Sequence, residues 1–433
     1  MPRRPLASRV RYALSAAAMP KAAALLFALL GLATPPRAQA VPGDFVSDWM
    51  DLTNAVWEAD GEAAGPQGRT ARTSRADAQV ALAMFEALNA VERRYESYLG
   101  TPPAEPGTSA VAAATAAAHG VLDSLFAGQT EMFEPALTLA LAGVPDGPAE
   151  DAGVALGRRV AAAVVARAAL TDGAVLVQYR PPTAPGVYVT PGLGSILPFD
   201  LAVPPFLLDS VSAIRPPPPL ALTDARYAAD LEEVRRLGGA DSPDRPADKT
   251  LLARIALEVD YDVILGDVAR RPGRSPVENA RLHALARMAA DDTWSAIMDA
   301  KMHYATWRPV TAIRNADLDG NDGTALQADW RSLLPTPTHP DYPCGHCGVA
   351  AAFATVLAAE TGPAPEGGVR IVGETPGVGV TVATWGAFVD EMSMSRIYAG
   401  AHTRYANEVA EAMGRQVGRL ALAALFRPLP ARP

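Results

Sequence analysis

An all-α fold is what this sequence predicts, and three observations carry it. Alanine and leucine are abundant, and only 6% of the chain is aromatic, a composition that favours helix over strand. Apolar residues recur at spacings of three and four along several stretches, as in amphipathic helices. No strand-rich block and no repeat at a fixed period interrupts them.

Size and charge bound what such a fold can do. At 433 residues the chain is long enough for two or three average domains, or one large helical one. With 49% hydrophobic and 20% charged residues it reads as an ordinary soluble globular protein. A formal net charge of −9 argues against general nucleic-acid binding, which needs a basic face to displace counterions. A small anion can still be held by a local cluster of positive side chains.

Residues 1–40 read as a signal peptide lying outside the fold. Arg3, Arg4, Arg9 and Arg11 form a charged start, AAALLFALLGLA (22–33) an apolar run, and PPRAQA a small-residue cleavage site ending at Ala40. The apolar run is shorter than the roughly 20 residues that span a bilayer, so cleavage is expected rather than anchoring. Met19, followed by Pro20 and Lys21, is a second candidate start. The mature protein is expected to be periplasmic or secreted.

Residues 41–222 are expected to form an N-terminal helical region with a Pro-rich strap. Leu82, Phe85, Leu88, Val91 and Tyr95 make one apolar stripe. SAVAAATAAAHGVLDSLFAG and DAGVALGRRVAAAVVARAAL are small-residue helices suited to close packing; the second sets Leu156, Val160, Val164 and Ala168 four residues apart. From about Thr171 to Leu222 proline and glycine become dense, which predicts an extended, ordered covering.

Residues 223–433 are expected to form a second helical domain. Thr223 is the expected cap of TDARYAADLEEVRRLG and Gly238 its stop. The stretch from Ser275 to Arg314 reads as one long helix, or two abutting ones broken near Pro309. CGVAAAFATVLAAETG ends at Gly362-Pro363, and YANEVAEAMGRQVGRLALAALF is the last helix.

Between these helices lies HPDYPCGHCGVAAAF, 339–353, with the only two cysteines of the chain. Alone, Cys344-Gly345-His346-Cys347 is a dithiol motif; with Pro343 it is one letter from PSGH, an oxyanion loop. A thioredoxin-like site needs a strand before its cysteines, whereas LLPTPTHPDYP precedes these. The oxyanion reading is therefore preferred. A Cys344/His346/Cys347 metal site lacks a distant fourth ligand. In an oxidising compartment the two cysteines can pair, although so small a loop is geometrically demanding.

Lys301 and Arg308 lie seven residues apart, two helical turns, so both are expected to project from one face. Much later SRIYAGAH carries Arg396 and His402. The order Lys301…Arg308-Pro309, Pro343-Cys344-Gly345-His346, Ser395-Arg396…His402 resembles the signature shared by vanadium-dependent haloperoxidases and the type 2 phosphatidic acid phosphatase superfamily. The long helical region ahead of it resembles the two-bundle haloperoxidases, which implies two helical bundles packed together.

That resemblance implies vanadate as cofactor, with hydrogen peroxide and halide as substrates. Lys301, Arg308 and Arg396 would neutralise the oxyanion by charge-assisted hydrogen bonds. Cys344, standing where the family has serine, and the Gly345 N–H would add donors at the start of a helix. His402 would be the vanadium ligand, or the nucleophile toward a phosphate ester in the alternative acid-phosphatase reading. His346 would be the acid–base residue. A third reading is an oxyanion-binding relative without turnover, and a homodimer is compatible with all three.

Two departures from the pattern shape the expectations. A thiol at Cys344 donates more weakly than a hydroxyl and is open to oxidation by peroxide. The family commonly places an orienting aspartate four residues after the essential histidine, where this chain has Ala406, then Asn407 and Glu408. His402 is thus expected to lack its carboxylate partner. Elsewhere, Asp317–Asp329 imitates a calcium loop but has Asp322 and Ala328 where glycine and glutamate belong, so a surface loop is expected. His303 could line the mouth of the site, His339 is expected to cap or hydrogen-bond, and Trp307 to form a wall. His119 and His283 read as ordinary helix residues.

Overall fold

Small residues decide how closely the helices of this protein approach one another. The computed structural model describes residues 44–64, 73–167, 182, 184–190, 204–373, 375 and 377–430. Residues 1–40, most of the 171–203 stretch and Ala168 lie outside them. The described residues hold thirteen α-helices and one hairpin. In order these are α1 (Phe45–Ala64), α2 (Thr73–Glu92), α3 (Ala110–Leu125), α4 (Thr130–Ala142), α5 (Pro148–Arg167), α6 (Ala225–Leu237), α7 (Ala247–Ile255) and α8 (Tyr261–Ala269). Then come α9 (Pro276–Tyr304), α10 (Pro309–Arg314), α11 (Gly345–Thr361), strands β1 (Val369–Val372) and β2 (Gly379–Val382), α12 (Trp385–Tyr398) and α13 (Arg404–Ala424). The all-α expectation holds. The antiparallel β1–β2 hairpin pairs Val369 with Val382, and its alternating face buries Val369 and Ile371.

The alanine-rich α3 starts where Ser109 Oγ accepts the Ala112 N–H at 3.2 Å, a side-chain cap. It packs along α5. A Cβ on Gly157 of α5 would stand 2.3 Å from the Ala113 carbonyl, so the close helix pair requires glycine there. The same device joins α11 to α13, where a Cβ on Gly414 would lie 2.0 Å from Gly348 O. That second contact matters for function, because it locks the helix after the PCGH loop onto the helix after His402.

Helix α9 runs through the middle, with α2 on one side and α11 and α13 on others. Pro276 sits at its first turn and Glu278 accepts the Ser275 N–H at 2.8 Å, so its start is well specified. Its faces are buried nearly all round, as expected of a central helix. Its end departs from the sequence expectation. Ala305 adopts φ 47°, ψ 45° and stops the helix; Arg308 then caps α10, whose first residue is Pro309. Lys301 and Arg308 therefore do not share one helical face. A second correction is the start of α6: Asp224, not Thr223, caps it, accepting the Arg226 N–H at 2.7 Å. Gly238 ends α6 as expected.

The described part of the strap, 204–222, lacks helix and strand and is tied to α9. Asp292 accepts the N–H groups of Phe206, Leu207 and Leu208 at 2.7, 2.7 and 3.0 Å, and Arg215 pairs with Asp299 at 2.8 Å. Among the described residues no single helix is long and apolar enough to cross a membrane.

Candidate oxyanion site

Three chain segments converge beside α9: its own C-terminal turn with the link to α10, which carry Lys301 and Arg308, the loop into α11, which carries Asp341, and the end of α12 with the link to α13, which carry Arg396 and His402. Lys301, Arg308 and Arg396 all have 0% of their surface exposed. Lys301 Nζ donates to Pro340 O at 2.6 Å and to Asp341 O at 2.7 Å. Arg308 Nε donates to His339 O at 2.7 Å and Nη1 to Ala401 O at 2.8 Å. Arg396 Nε and Nη1 are buried with no hydrogen-bond partner among the described residues.

Burying three cations is costly unless counter-charge accompanies them. Among the described residues Asp341 is the one carboxylate buried within the cluster, its Oδ1 3.9 Å from Arg308 Nη1. Glu258 attracts Arg396 but is itself exposed. The imbalance shows in the ionisation of every member. Burial, then Arg308, push the Lys301 ammonium well below the usual lysine range. Burial pulls Arg308 and Arg396 down to about 10. It also drives His402 and His339 well below the usual imidazole value, with Arg308 the next cause, and takes His346 down to about 3, helped by Arg396. Asp341 rises to about 6, because burial outweighs the pull of Arg308 and Lys301. A tetrahedral oxyanion among these groups would reverse the shifts of the cations.

His402 is not left without a carboxylate. Its Nδ1 lies 2.6 Å from Asp341 Oδ1, an ion-pair contact off the line of a hydrogen bond, and that oxygen has no hydrogen-bond partner among the described residues. Thr403 Oγ1 donates to Oδ2 at 3.3 Å. The expectation drawn from Ala406 is therefore corrected: the partner comes from the loop before α11, distant in sequence. Asn407 and Glu408 do not substitute, since Asn407 Nδ2 donates to Ser393 O at 2.8 Å and Glu408 pairs with Arg226. Sequence reading missed Asp341, although it stands in HPDYPCGH, because nothing local ties it to His402. It also undervalued His339, whose Nδ1 lies 3.0 Å from Arg308 Nη2.

At the entrance to α11, Gly345 has no room for a side chain: a Cβ would lie 2.5 Å from the Trp294 ring. Its N–H stands at the positive end of a 17-residue helix. His346 Nε2 lies 3.2 Å from Leu257 O. Cys344 and Cys347 are paired as a disulfide in an apolar cluster with Ile297 and Met413. Cys344 Sγ accepts the Cys347 N–H at 3.3 Å. Paired in this way the sulfur carries no proton, so the donor expected of Cys344 is available only after reduction.

The weaker candidates lie outside this cluster. His303 is exposed, its ring against Tyr304. His119 pairs with Glu134 at 2.8 Å and buried His283 stands 3.0 Å from Ser47 Oγ. Trp307 Nε1 donates to Tyr227 OH at 3.1 Å, and the residue lines a pocket shared with Asp341 and Thr403. In the 317–329 loop the Asp319 carboxylate is occupied by its own turn, accepting the Asn321 N–H and Thr324 Oγ1 at 2.8 Å each.

Comparison with known proteins agrees with this architecture. Residues 281–429 match the family model of the VCPO second helical-bundle domain. No curated protein matches the sequence. Among solved structures, the fold is similar to that of the first bacterial vanadium-dependent iodoperoxidase, with a TM-score of 0.74 and 20% identity over 92% of this chain and 100% of that one. It is also similar to a bacterial vanadium-dependent chloroperoxidase in its apo and holo forms, with TM-scores of 0.64 and 0.63 and 19% identity over 90% of this chain and 95% of those. Residues 281–429 thus resemble a VCPO second helical-bundle domain, and the fold is similar to that of the bacterial vanadium haloperoxidases.

Proposed function

We propose that the protein is a vanadium-dependent haloperoxidase-like enzyme, oxidising halide with hydrogen peroxide at a vanadate held by Lys301, Arg308, Arg396, the Gly345 N–H and His402. One observation carries this reading. Among the described residues, three fully buried cations share one buried carboxylate, and two Arg396 nitrogens have no hydrogen-bond partner. The chemistry of that donor set fits a multiply charged oxyanion. The fold of a bacterial iodoperoxidase and a bacterial chloroperoxidase supports halide oxidation as the reaction.

Bound vanadate supplies the Lewis-acid centre at which peroxide is activated toward halide. The protein's own groups do the rest. Lys301 gives two of its three protons to carbonyls and keeps one for the anion. Arg396 brings Nε and Nη1. His402 would present Nε2, which lies 3.0 Å from Arg308 Nη1 in the anion-free site. Leu257 O can only accept, so in neutral His346 Nε2 carries the proton and Nδ1 is the free base. Burial and Arg396 depress its basicity in the anion-free site; a bound oxyanion would raise it, so that His346 could take a proton from incoming peroxide and return it to product. Pairing with Cys347 leaves Cys344 no thiolate for peroxide to attack. Export guided by residues 1–40 is part of the same proposal, and cell fractionation tests it.

The deciding experiment is bromide oxidation by purified protein stripped of phosphate, with hydrogen peroxide and rising orthovanadate. Saturable, vanadate-dependent bromination is expected. Hydrolysis of p-nitrophenyl phosphate without bromination would instead make it a phosphatase, and vanadate binding with neither activity an impaired relative.

A further inference from the structure

A small pocket adjoins the oxyanion site, and its chemistry is the opposite. It encloses about 50 Å³ between α6, the link from α9 to α10, the start of α13 and the end of the strap. Tyr227, Trp307, Tyr342 and Tyr405 give it aromatic walls. Asp230 and Asp341 line it too, and among the described residues no lysine, arginine or histidine does. We propose that this pocket binds the ammonium group of a small organic amine, with Asp230 as the counter-ion. The proposal stands apart from the oxyanion reading.

Asp230 is only 6% exposed, yet the fold brings no cation onto it. Its Oδ2 accepts the Tyr405 N–H at 2.7 Å. The nearby guanidinium groups are engaged elsewhere, Arg226 with Glu408 and Arg404 with Glu233. Burial accordingly raises the Asp230 carboxyl above its ordinary value, against the pull of the Tyr405 N–H and Arg226. Asp341 differs, because His402 Nδ1 lies 2.6 Å from its Oδ1. Asp230 is therefore the charge that this pocket leaves to a ligand, and a buried carboxylate is costly until a cation joins it.

The rings are held in place. Trp307 Nε1 donates to Tyr227 OH at 3.1 Å and Tyr342 OH to Pro217 O at 2.7 Å, while Tyr342 stacks on Tyr405 with planes 8° apart. Aromatic faces attract an ammonium group, and Tyr405 already carries the Arg226 guanidinium 5.1 Å from its ring centre. Other ligands suit these walls less well. An anion would meet two carboxylates, and a neutral apolar group would leave Asp230 without counter-charge. A calcium ion seeks six to eight oxygens, whereas the lining is mainly apolar. Since one water needs about 10–15 Å³, the volume suits a few heavy atoms, an ammonium group and its first carbons.

The test is a titration of the purified protein with propylammonium at neutral pH in low salt, followed by ligand-observed NMR. The neutral and anionic counterparts are 1-propanol and propionate. Saturable binding of propylammonium is expected, about tenfold tighter than 1-propanol, with none of propionate. Asp230→Asn keeps an oxygen for the Tyr405 N–H while removing the charge, and should weaken propylammonium about tenfold. Trp307→Leu should weaken it about threefold. The chain carries a net charge of −9, so Asp317→Asn, at an exposed carboxylate, controls for diffuse attraction and should change nothing. Equal affinity for propylammonium and 1-propanol would overturn the proposal, as would equal affinity in Asp230→Asn and wild type. Displacement of propylammonium by equimolar calcium would overturn it in favour of a metal site.

Discussion

Two clusters of buried charge lie along α9, and they are built on opposite terms. Toward its N-terminal half, Arg287 Nη1 reaches Asp77 Oδ2 at 2.8 Å while Nη2 contacts Asp262, and Arg75 Nη1 reaches Asp291 Oδ2 at 2.8 Å. Toward its C-terminal end, Lys301, Arg308 and Arg396 share Asp341. Burial lowers Arg287, Arg308 and Arg396 alike, but the charges of Asp262 and Asp77 more than reverse it for Arg287, which stays above the ordinary range. Arg308 and Arg396 fall to about 10. Burial by itself therefore does not separate a structural arginine from a ligand-binding one. The local balance of charge does.

The largest test of that contrast is stability. Arg287→Met strands Asp77 and Asp262 and should cost about 3–5 kcal/mol, read from urea denaturation. Arg396→Met, equally buried, strands no buried carboxylate and should leave the anion-free protein as stable or more so. Equal losses in the two variants would erase the distinction.

Binding should respond the other way. Arg396→Met is expected to weaken orthovanadate about 100-fold, since hydrogen bonds to charged groups contribute about 1.5–3 kcal/mol. Arg287→Met should leave the affinity of the folded protein unchanged. Titration calorimetry on both variants checks the pair. At 100 times its dissociation constant the anion should stabilise wild type by about 2.7 kcal/mol, and Arg396→Met far less.

A finer test concerns the loop between the cations. Cys344→Ser removes the disulfide and supplies a hydroxyl donor, so vanadate affinity should rise about fivefold, the effect of one hydrogen bond of about 1 kcal/mol. A dithiol reductant should strengthen binding in wild type and leave Cys344→Ser unmoved. No change in either protein would mean that the Cys344 side chain stays with its apolar neighbours and outside the anion's reach.

The smallest effect is expected in the paired cluster's outer edge. Asp51, on α1, is raised from 3.8 to about 7 by burial and the charge of Asp262, against the pull of Arg270. The folded state then holds this proton more tightly than the unfolded chain. Its contribution is complete below about pH 4 and is lost as pH rises through about 7. Urea midpoints should therefore carry a downward component over that window, and Asp51→Asn should flatten it.

The legible parts of this protein were those written in local pattern. The apolar spacing of Leu82, Phe85 and Leu88 marks α2, all three being fully or almost fully buried. Gly238 stops α6 where its position promised. Lys301, Arg308, His346, Arg396 and His402 could be nominated from the resemblance of their motifs to a known signature, and they do lie within electrostatic reach of one another. The break at Ala305 was not legible, because its left-handed conformation belongs to a residue with high helix propensity. There tertiary contact prevails: Ala305 O accepts the Tyr188 N–H at 2.7 Å, and Trp307 N–H donates to Gly186 O at 2.9 Å.

By itself, the amino-acid sequence determined the helical elements and the set of charged side chains available for an oxyanion, since helix periodicity and residue chemistry act over a few neighbours. Only the tertiary structure decided which carboxylate faces His402 and which cations are left without one. Those outcomes depend on where α9, α11 and α13 bring their ends, and a buried charge is governed by its neighbours in space. Ala406 pointed to an imidazole without a partner; Asp341, brought in by the fold, supplies one at 2.6 Å.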